Sequence, residues 1–212
     1  MKPNRNAVTR LTQYRIAMDR LKSMGFQRVF SDNLADAVGV TSSQVRRDFG
    51  SFGFSGNKRG GYRIEELIRK IHDLLGKNTA QKVIIAGMGN IGRALTKYKE
   101  FQREGVQVVA GFDMDTRKQN NLEEVPVYPI ERLPDFANEH NIKIGIICVP
   151  EQAAQKVLDL MLSSTIEGVM NFSPIRLQTQ RECLVHNVNI GLELETVMYY
   201  VNARSKQVPR EE

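Results

Sequence analysis

Apolar residues recur at two spacings along this chain, and the spacing changes near residue 77. Before that point the rhythm is helical. Leu11, Tyr14, Met18 and Leu21 share one face of residues 8–24, which predicts an amphipathic helix. Leu34, Ala35 and Val38 mark a second helix, capped by Ser31 or Asp32 and broken at Gly39. Thr41 or Ser42 then caps a third helix with Val45 turned inward. Ile64, Leu67, Ile68, Ile71 and Leu75 form a last stripe over residues 63–75, and residues 76–79 read as a linker.

Beyond the linker, short apolar runs alternate with helical segments. Residues 83–86, 106–112, 143–149 and 169–172 have the unbroken apolar character of strands buried on both faces. Residues 93–103, 130–140 and 151–162 have helical spacing, and residues 125–128 are a short extended piece. This alternation predicts an α/β fold with a parallel, doubly wound, Rossmann-like sheet. A final helix over residues 193–203 carries Leu194, Val197, Met198 and Val201 on one face, with Tyr199 and Tyr200 nearby. It covers either its own domain or a partner subunit, and the tail from Ser205 is expected to be loose. The expected domains are 1–77, 78–190 and 191–212.

The strand at residues 83–86 leads into Gly87-Met88-Gly89-Asn90-Ile91-Gly92-Arg93, the pattern G-x-G-x-x-G. Gly87 permits the tight turn, Gly89 lets the backbone approach a pyrophosphate, and Gly92 lets the following helix lie close to the strand. Asp113 ends the next apolar run, about the 20 residues further on at which a carboxylate meets a ribose diol. That acid favours NAD(H) over a 2′-phosphorylated cofactor. Asp115 competes for the role, and a simple turn cap is the plainer use of Asp113. Ligands of such sheets lie at the carboxyl ends of the strands, which adds Val149, Pro150, Asn171, Phe172 and Ser173 to the expected site.

Charge changes the reading of the first 77 residues. They carry 15 Lys and Arg against 7 Asp and Glu, a net +8, whereas residues 78–212 carry 15 against 17, a net −2. A basic module on a near-neutral ligand domain suits a polyanion partner. Residues 34–48 have helix-turn-helix form, and the third helix offers Ser43, Gln44, Arg46 and Arg47 to double-stranded DNA. Residues 54–62 read as a hairpin wing with Lys58 and Arg59 at its tip, placed for a minor groove or phosphates. A helical hairpin with a basic solvated face is the simpler alternative.

The remaining composition narrows the class. An apolar fraction of 41% excludes general disorder, and no run is long enough to span a bilayer. The start lacks an apolar signal-peptide core. Cys148 and Cys183 have no metal-ligand spacing, and Cys148 within a strand suits a buried thiol in a reducing cytoplasm. His72, His140 and His186 are poor proton donors for a carbonyl, and residues 80–190 leave no room for a substrate domain. A dinucleotide site joined to a DNA-binding module is the composition of a regulator, with the cofactor as signal. A small NAD-dependent oxidoreductase, or a regulator holding coenzyme A or another adenine nucleotide, are the other classes.

Taken in order, these segments resemble the Rex redox-sensing transcriptional repressors over nearly the whole chain. Val45-Arg-Arg-Asp-Phe49, Phe52-Gly53 and Gly89-Asn-Ile-Gly92 carry the resemblance most specifically. It implies a cytoplasmic homodimer with exchanged C-terminal helices, binding to an inverted-repeat operator, and release when NADH replaces NAD⁺. It also implies that Tyr98 lies near the nicotinamide, where spacing alone would give it a packing role. Arg10 matches an arginine of the family's switch. That arginine's usual aspartate partner, just before the last helix, corresponds here to Asn189. The wing, Lys58-Arg-Gly-Gly-Tyr62, also departs from the family's glycine spacing.

Overall fold

The computed structural model describes residues 5–56, 60–119, 124–179 and 182–207. It divides into two compact units, Met1–Thr79 and Ala80–Glu212. The first unit contains α1 (Arg5–Ser23), β1 (Arg28–Val29), α2 (Ser31–Val38), α3 (Ser42–Ser51), β2 (Tyr62–Arg63) and α4 (Ile64–Leu74). Its core is the set of apolar stripes seen in the sequence. Leu11, Tyr14 and Met18 of α1 meet Leu34 of α2, Val45 and Phe49 of α3, and Ile64 and Ile71 of α4. Phe49 sits at the centre, edge-on to Tyr14 at 5.5 Å and to Tyr62 at 5.0 Å. Burying each such side chain contributes about 1.5–3 kcal/mol.

Local signals set the helix ends. Thr41 caps α3, its Oγ1 accepting from the Gln44 N–H at 3.2 Å. Gly39, at φ 73°, closes α2 in a left-handed turn. The cap of α2 differs from expectation: Phe30 holds that position, and Asn33 Oδ1 accepts the Phe30 N–H at 3.0 Å. Ser31 is instead drawn into the helix. Strands β1 and β2 pair antiparallel, Val29 opposite Tyr62. The proposed wing-tip residues Lys58 and Arg59 lie outside the described residues.

The second unit is a six-stranded sheet with all neighbours parallel. Its strands are β3 (Gln81–Ala86), β4 (Val106–Asp113), β5 (Val127–Pro129), β6 (Ile144–Ile147), β7 (Gly168–Asn171) and β8 (Leu184–Asn187). They stand in the order β5-β4-β3-β6-β7-β8. The chain therefore turns one way from β3 through β4 to β5, then crosses back to β6. The point of reversal, between β3 and β6, is where a doubly wound sheet opens a crevice at its carboxyl edge.

Alternate residues of β3 feed two cores. Ile84 and Ala86 face α7 (Leu133–Glu139) and α8 (Glu151–Leu162), packing with Leu133, Leu158 and Met161. Val83 and Ile85 face the other side, toward Leu95 and Phe101. Strand β8 was not expected from the sequence; it is a four-residue edge strand whose Leu184 is exposed, so it lacks a buried apolar run.

Two helices depart from their expected lengths. The segment 93–103 is not one helix but α5 (Asn90–Thr96) and α6 (Lys99–Arg103). Thr96 Oγ1 donates back to the Arg93 carbonyl at 2.8 Å, a bond of the kind that competes with helix continuation, and Tyr98 becomes the extended cap of α6. The last helix, α9 (Ile190–Gln207), extends beyond 193–203 at both ends and takes in Ser205. Asn189 fixes its start by accepting the Leu192 N–H at 3.1 Å. Among the described residues no helix is long and apolar enough to cross a membrane.

Candidate functional sites

The loop leaving β3 is built by three glycines with three different constraints. Gly87 has φ 96°, and a Cβ there would lie 2.5 Å from the Cys148 carbonyl oxygen. A Cβ on Gly92 would lie 2.0 Å from the Gly87 carbonyl oxygen, so α5 packs onto the loop only with glycine at this point. Gly89 is different. Apart from Gly89 itself and its two chain neighbours, no protein atom lies within 4 Å of where its Cβ would be. Space kept open by glycine, in a loop facing a cavity, is space for a ligand.

That cavity has a volume of about 620 Å³ and sits at the β3–β6 reversal. Such a volume is within the range of small-molecule and cofactor sites, roughly 300–1,000 Å³. Of the expected residues, Gly87, Gly89, Asn90 and Ile91 line it from the loop, and Asp113, Val149, Pro150 and Phe172 from the other strand ends. The competing acid Asp115 also lines it, as do Phe112, Met114, Lys118, Ile130, Cys148, Ala153, Val157 and Pro174, which were not expected. Several follow directly from the strand-end rule: Phe112 and Met114 flank Asp113, and Cys148 precedes Val149.

The other expected residues lie behind or beside the cavity. Met88 is buried and packs against Gly111, where a Cβ would meet its sulfur at 2.5 Å. Asn171 is fully buried and ties three segments together. Its Nδ2 donates to the Ile175 carbonyl at 2.8 Å and to Asn187 Oδ1 at 2.9 Å, while its Oδ1 accepts the Ser173 N–H at 2.9 Å. Ser173 Oγ donates to the Val149 carbonyl at 2.6 Å. These two residues hold Val149 and Phe172 in place rather than lining the cavity. Arg93 and Tyr98 are exposed and outside the lining, the Tyr98 ring edge-on to Phe101 at 5.2 Å.

The two competing acids are distinguished by their partners. Asp113 accepts the Met88 N–H at 2.8 Å, the Asp115 N–H at 2.9 Å and Lys118 Nζ at 3.1 Å. Burial works to raise its pKa, but these donors outweigh it and hold the carboxyl below its usual value. Asp113 is thus a fixed anion at the end of β4. Asp115 is gripped on both oxygens by the Arg117 guanidinium, at 2.9 and 3.0 Å, which with the Arg117 N–H holds its pKa down to about 2. Both acids thus accept three hydrogen bonds and both line the cavity; Asp113 differs in ending β4 and in being tied to the glycine loop through the Met88 N–H. Burial pushes the Cys148 thiol up to about 12, so this cavity wall carries an un-ionised, unreactive sulfur.

The glycine loop, the open space at Gly89, the cavity and the fixed acid fit an adenine dinucleotide. Gly87 to Ile91 would hold its pyrophosphate and Asp113 its adenosine ribose. Apolar walls from Ile130, Val149 and Val157 suit the flat rings.

In the first unit, α3 presents Ser43, Arg46 and Arg47 as exposed residues and Gln44 as a half-buried one. Asp48, seen in the sequence only within the Val45–Phe49 motif, lies at the buried phase of this helix. Its carboxylate accepts Arg10 Nε at 2.7 Å, Arg10 Nη2 at 2.8 Å, Tyr14 OH at 2.9 Å and Gln44 Nε2 at 2.8 Å. Burial opposes its ionisation, but the bonds from Arg10, Gln44 and Tyr14 keep its pKa below the ordinary value. Burial and this carboxylate together push the Tyr14 phenol up to about 12. Arg10 is held by Asp48 within the first unit, and within the second the Asn189 side chain caps α9.

Known proteins resemble both units. Residues 78–175 match the family model of the CoA binding domain, and residues 4–50 that of the putative DNA-binding protein N-terminus. A redox-sensing transcriptional repressor Rex of Desulforamulus reducens is 36% identical over 94% of this chain and 95% of its own length. Its counterpart in Pelotomaculum thermopropionicum is 35% identical over 94% of each. Among solved structures, the Rex-family repressor RSP in complex with β-NAD⁺ and operator DNA superposes with a TM-score of 0.90 at 31% identity, covering 97% of this chain and 95% of that one. The same repressor with β-NADH gives a TM-score of 0.85, covering 97% of each. The chain belongs to the Rex family of redox-sensing transcriptional repressors.

Proposed function

We propose that this protein is a transcriptional repressor that binds an inverted-repeat operator as a homodimer in the cytoplasm and releases it when NADH replaces NAD⁺. The observation that carries the reading is the pairing, in one Rex-family chain, of a helix-turn-helix unit with a glycine-built dinucleotide cradle. The cofactor supplies the redox signal, a cationic nicotinamide when oxidised and a neutral one when reduced. The chain supplies the cradle, the ribose acid Asp113 and the DNA-facing helix α3. It is a regulator and not an enzyme.

The C-terminal helix supports the homodimer. Leu192, Leu194, Val197, Tyr199, Tyr200 and Val201 of α9 are all more than half exposed, and they surround the helix rather than forming one stripe. A helix apolar on all sides belongs between other elements, so a second copy of the chain is its natural cover. To drive a two-state dimer from 99% bound to 99% released, NADH must favour the released form by about 5.5 kcal/mol over NAD⁺.

A second reading concerns how sharply the two redox states are separated. Asn189 is neutral where the family resemblance places an aspartate, and its amide oxygen is engaged in capping α9. An amide offers less electrostatic preference than a carboxylate for a cationic ring, and a weaker bond to an arginine. In this reading the protein keeps both sites but distinguishes NADH from NAD⁺ less strongly. Binding of an inverted-repeat duplex, followed with each cofactor form, tests the first reading; titration of Asn189→Asp tests the second.

A further inference from the structure

The Asp48 carboxylate has its acceptor positions filled, each oxygen taking two donors. Oδ2 receives Arg10 Nε and Tyr14 OH, and Oδ1 receives Arg10 Nη2 and Gln44 Nε2. Its side chain is 4% exposed, so this arrangement is part of the packed unit rather than a surface accident. Asp48 and Gln44 lie one turn apart on α3, where side chains four residues apart meet.

This contact decides which way the Gln44 carboxamide faces. An ionised carboxylate only accepts hydrogen bonds, so the Gln44 atom turned toward it is the nitrogen. The oxygen Oε1 and the second N–H are left over. Among the described residues the Gln44 side chain has no other partner. An outward acceptor beside an outward donor complements adenine, whose major-groove edge offers the N6 amine and N7. Arg10 has a supporting electrostatic role: it offsets a carboxylate that would otherwise repel the phosphates near a DNA-facing helix.

Arg46 and Arg47 lack such a tether. Both are exposed, with no ion pair or side-chain hydrogen bond among the described residues. Ordering them on DNA costs side-chain entropy that Gln44 has already lost on folding. The preorganised group is the one suited to discriminate between bases, and the free cations are suited to phosphates.

We propose that Asp48 fixes the Gln44 carboxamide with its oxygen outward, and that Gln44 held in this way reads one adenine in each half of the operator. Asp48 is then a positioning residue for sequence recognition. The proposal rests on the DNA-binding function above and adds which side chain specifies a base, and what orients it.

The test is binding of the full chain to a panel of duplexes in which each half-site base pair is replaced in turn, with wild type, Gln44→Ala and Asp48→Asn. Wild type should prefer adenine at one position by tenfold or more. Gln44→Ala should level the preference there and nowhere else. In Asp48→Asn the amide nitrogen meets an Arg10 N–H in either orientation, so the two-donor grip of Arg10 breaks and the side chain no longer holds the Gln44 carboxamide in one orientation. Adenine preference at that position should then fall toward the level of Gln44→Ala, with an unchanged salt dependence. A uniform loss over all duplexes in Gln44→Ala overturns the proposal, as does a folded Asp48→Asn that keeps its adenine preference. If Asp48→Asn does not fold, the side-chain amide resonances of wild-type Gln44 decide. One N–H protected from solvent exchange supports the tether, and two equally exchanging N–H overturn it. Wild type without preference for any duplex would overturn the DNA-reading function itself.

Discussion

A Cβ on Gly92 would stand 2.0 Å from the carbonyl oxygen of Gly87, whereas a Cβ on Gly89 would meet nothing within 4 Å. The two glycines thus serve different ends, one the fold and the other the ligand. Gly92→Ala must push α5 off the loop, at about 1–3 kcal/mol as for other overpacked sites. It should lower the melting temperature and weaken cofactor binding together. Gly89 has φ −80°, open to any L-residue. Gly89→Ala should therefore melt like wild type yet bind NADH at least tenfold more weakly. Calorimetry of both variants checks the pair. Equal affinity in Gly89→Ala would mean that the open space is not where the cofactor lies.

Asp113 should govern the choice between NADH and NADPH. Its fixed negative charge faces the cavity and repels a 2′-phosphate. Asp113→Asn keeps the shape and removes the charge, so the preference for NADH over NADPH should narrow by about tenfold, or 1.4 kcal/mol. Titration of both nucleotides against both proteins measures this. An unchanged ratio would shift the role to Asp115.

The Arg10–Asp48 pair predicts an acid-sensitive first unit. Asp48 has a folded-state pKa below that of an ordinary aspartate. A carboxyl with a depressed folded pKa contributes stability that is fully present above the unfolded pKa. That stability is lost as pH falls through the folded one. Urea unfolding from pH 7 down to pH 2 should show this decline, and Asp48→Asn should flatten it. Arg10→Ala leaves the carboxylate without its cation. Because Arg10 is 22% exposed, water partly replaces it, and the cost should be about 1–3 kcal/mol, below that of breaking a fully buried pair.

Asn189→Asp tests how sharply the redox states are separated. Aspartate accepts the Leu192 N–H as well as asparagine does, so α9 should start at the same place. The added charge should increase the ratio of NADH to NAD⁺ dissociation constants. Isothermal titration with an unchanged ratio in the variant contradicts the weakened-discrimination reading.

The sequence was most legible where one constraint acted alone. The buried runs of β3, β4, β6 and β7 declared themselves because a strand covered on both faces has no choice but apolar residues. Gly87, Gly89 and Gly92 were legible because three backbone requirements coincide within six residues. Strand β8 was hidden because one exposed edge face leaves Leu184, His186 and Asn187 without a pattern. The break at Tyr98 coincides with Thr96 Oγ1 bonding the Arg93 carbonyl, a local choice that periodicity does not register. Asp48 entered only as part of the Val45–Phe49 motif, although its helical phase between Val45 and Phe49 pointed to the interior. Asn171 and Ser173 came from the correct strand end, yet they work behind the cavity. Position along a strand says which end a residue occupies, not which way its side chain turns.

The central claim is that one chain reads DNA and lets go according to the redox state of its nucleotide. Fluorescence anisotropy of a labelled inverted-repeat duplex tests it most directly, at about 150 mM salt because affinity falls steeply with ionic strength. The protein is titrated alone, with NAD⁺ and with NADH. Specific binding that survives NAD⁺ and is lost with NADH is the predicted result. Specific binding that both nucleotides leave unchanged would contradict the redox switch, and equal binding to a scrambled duplex would contradict the operator-binding function.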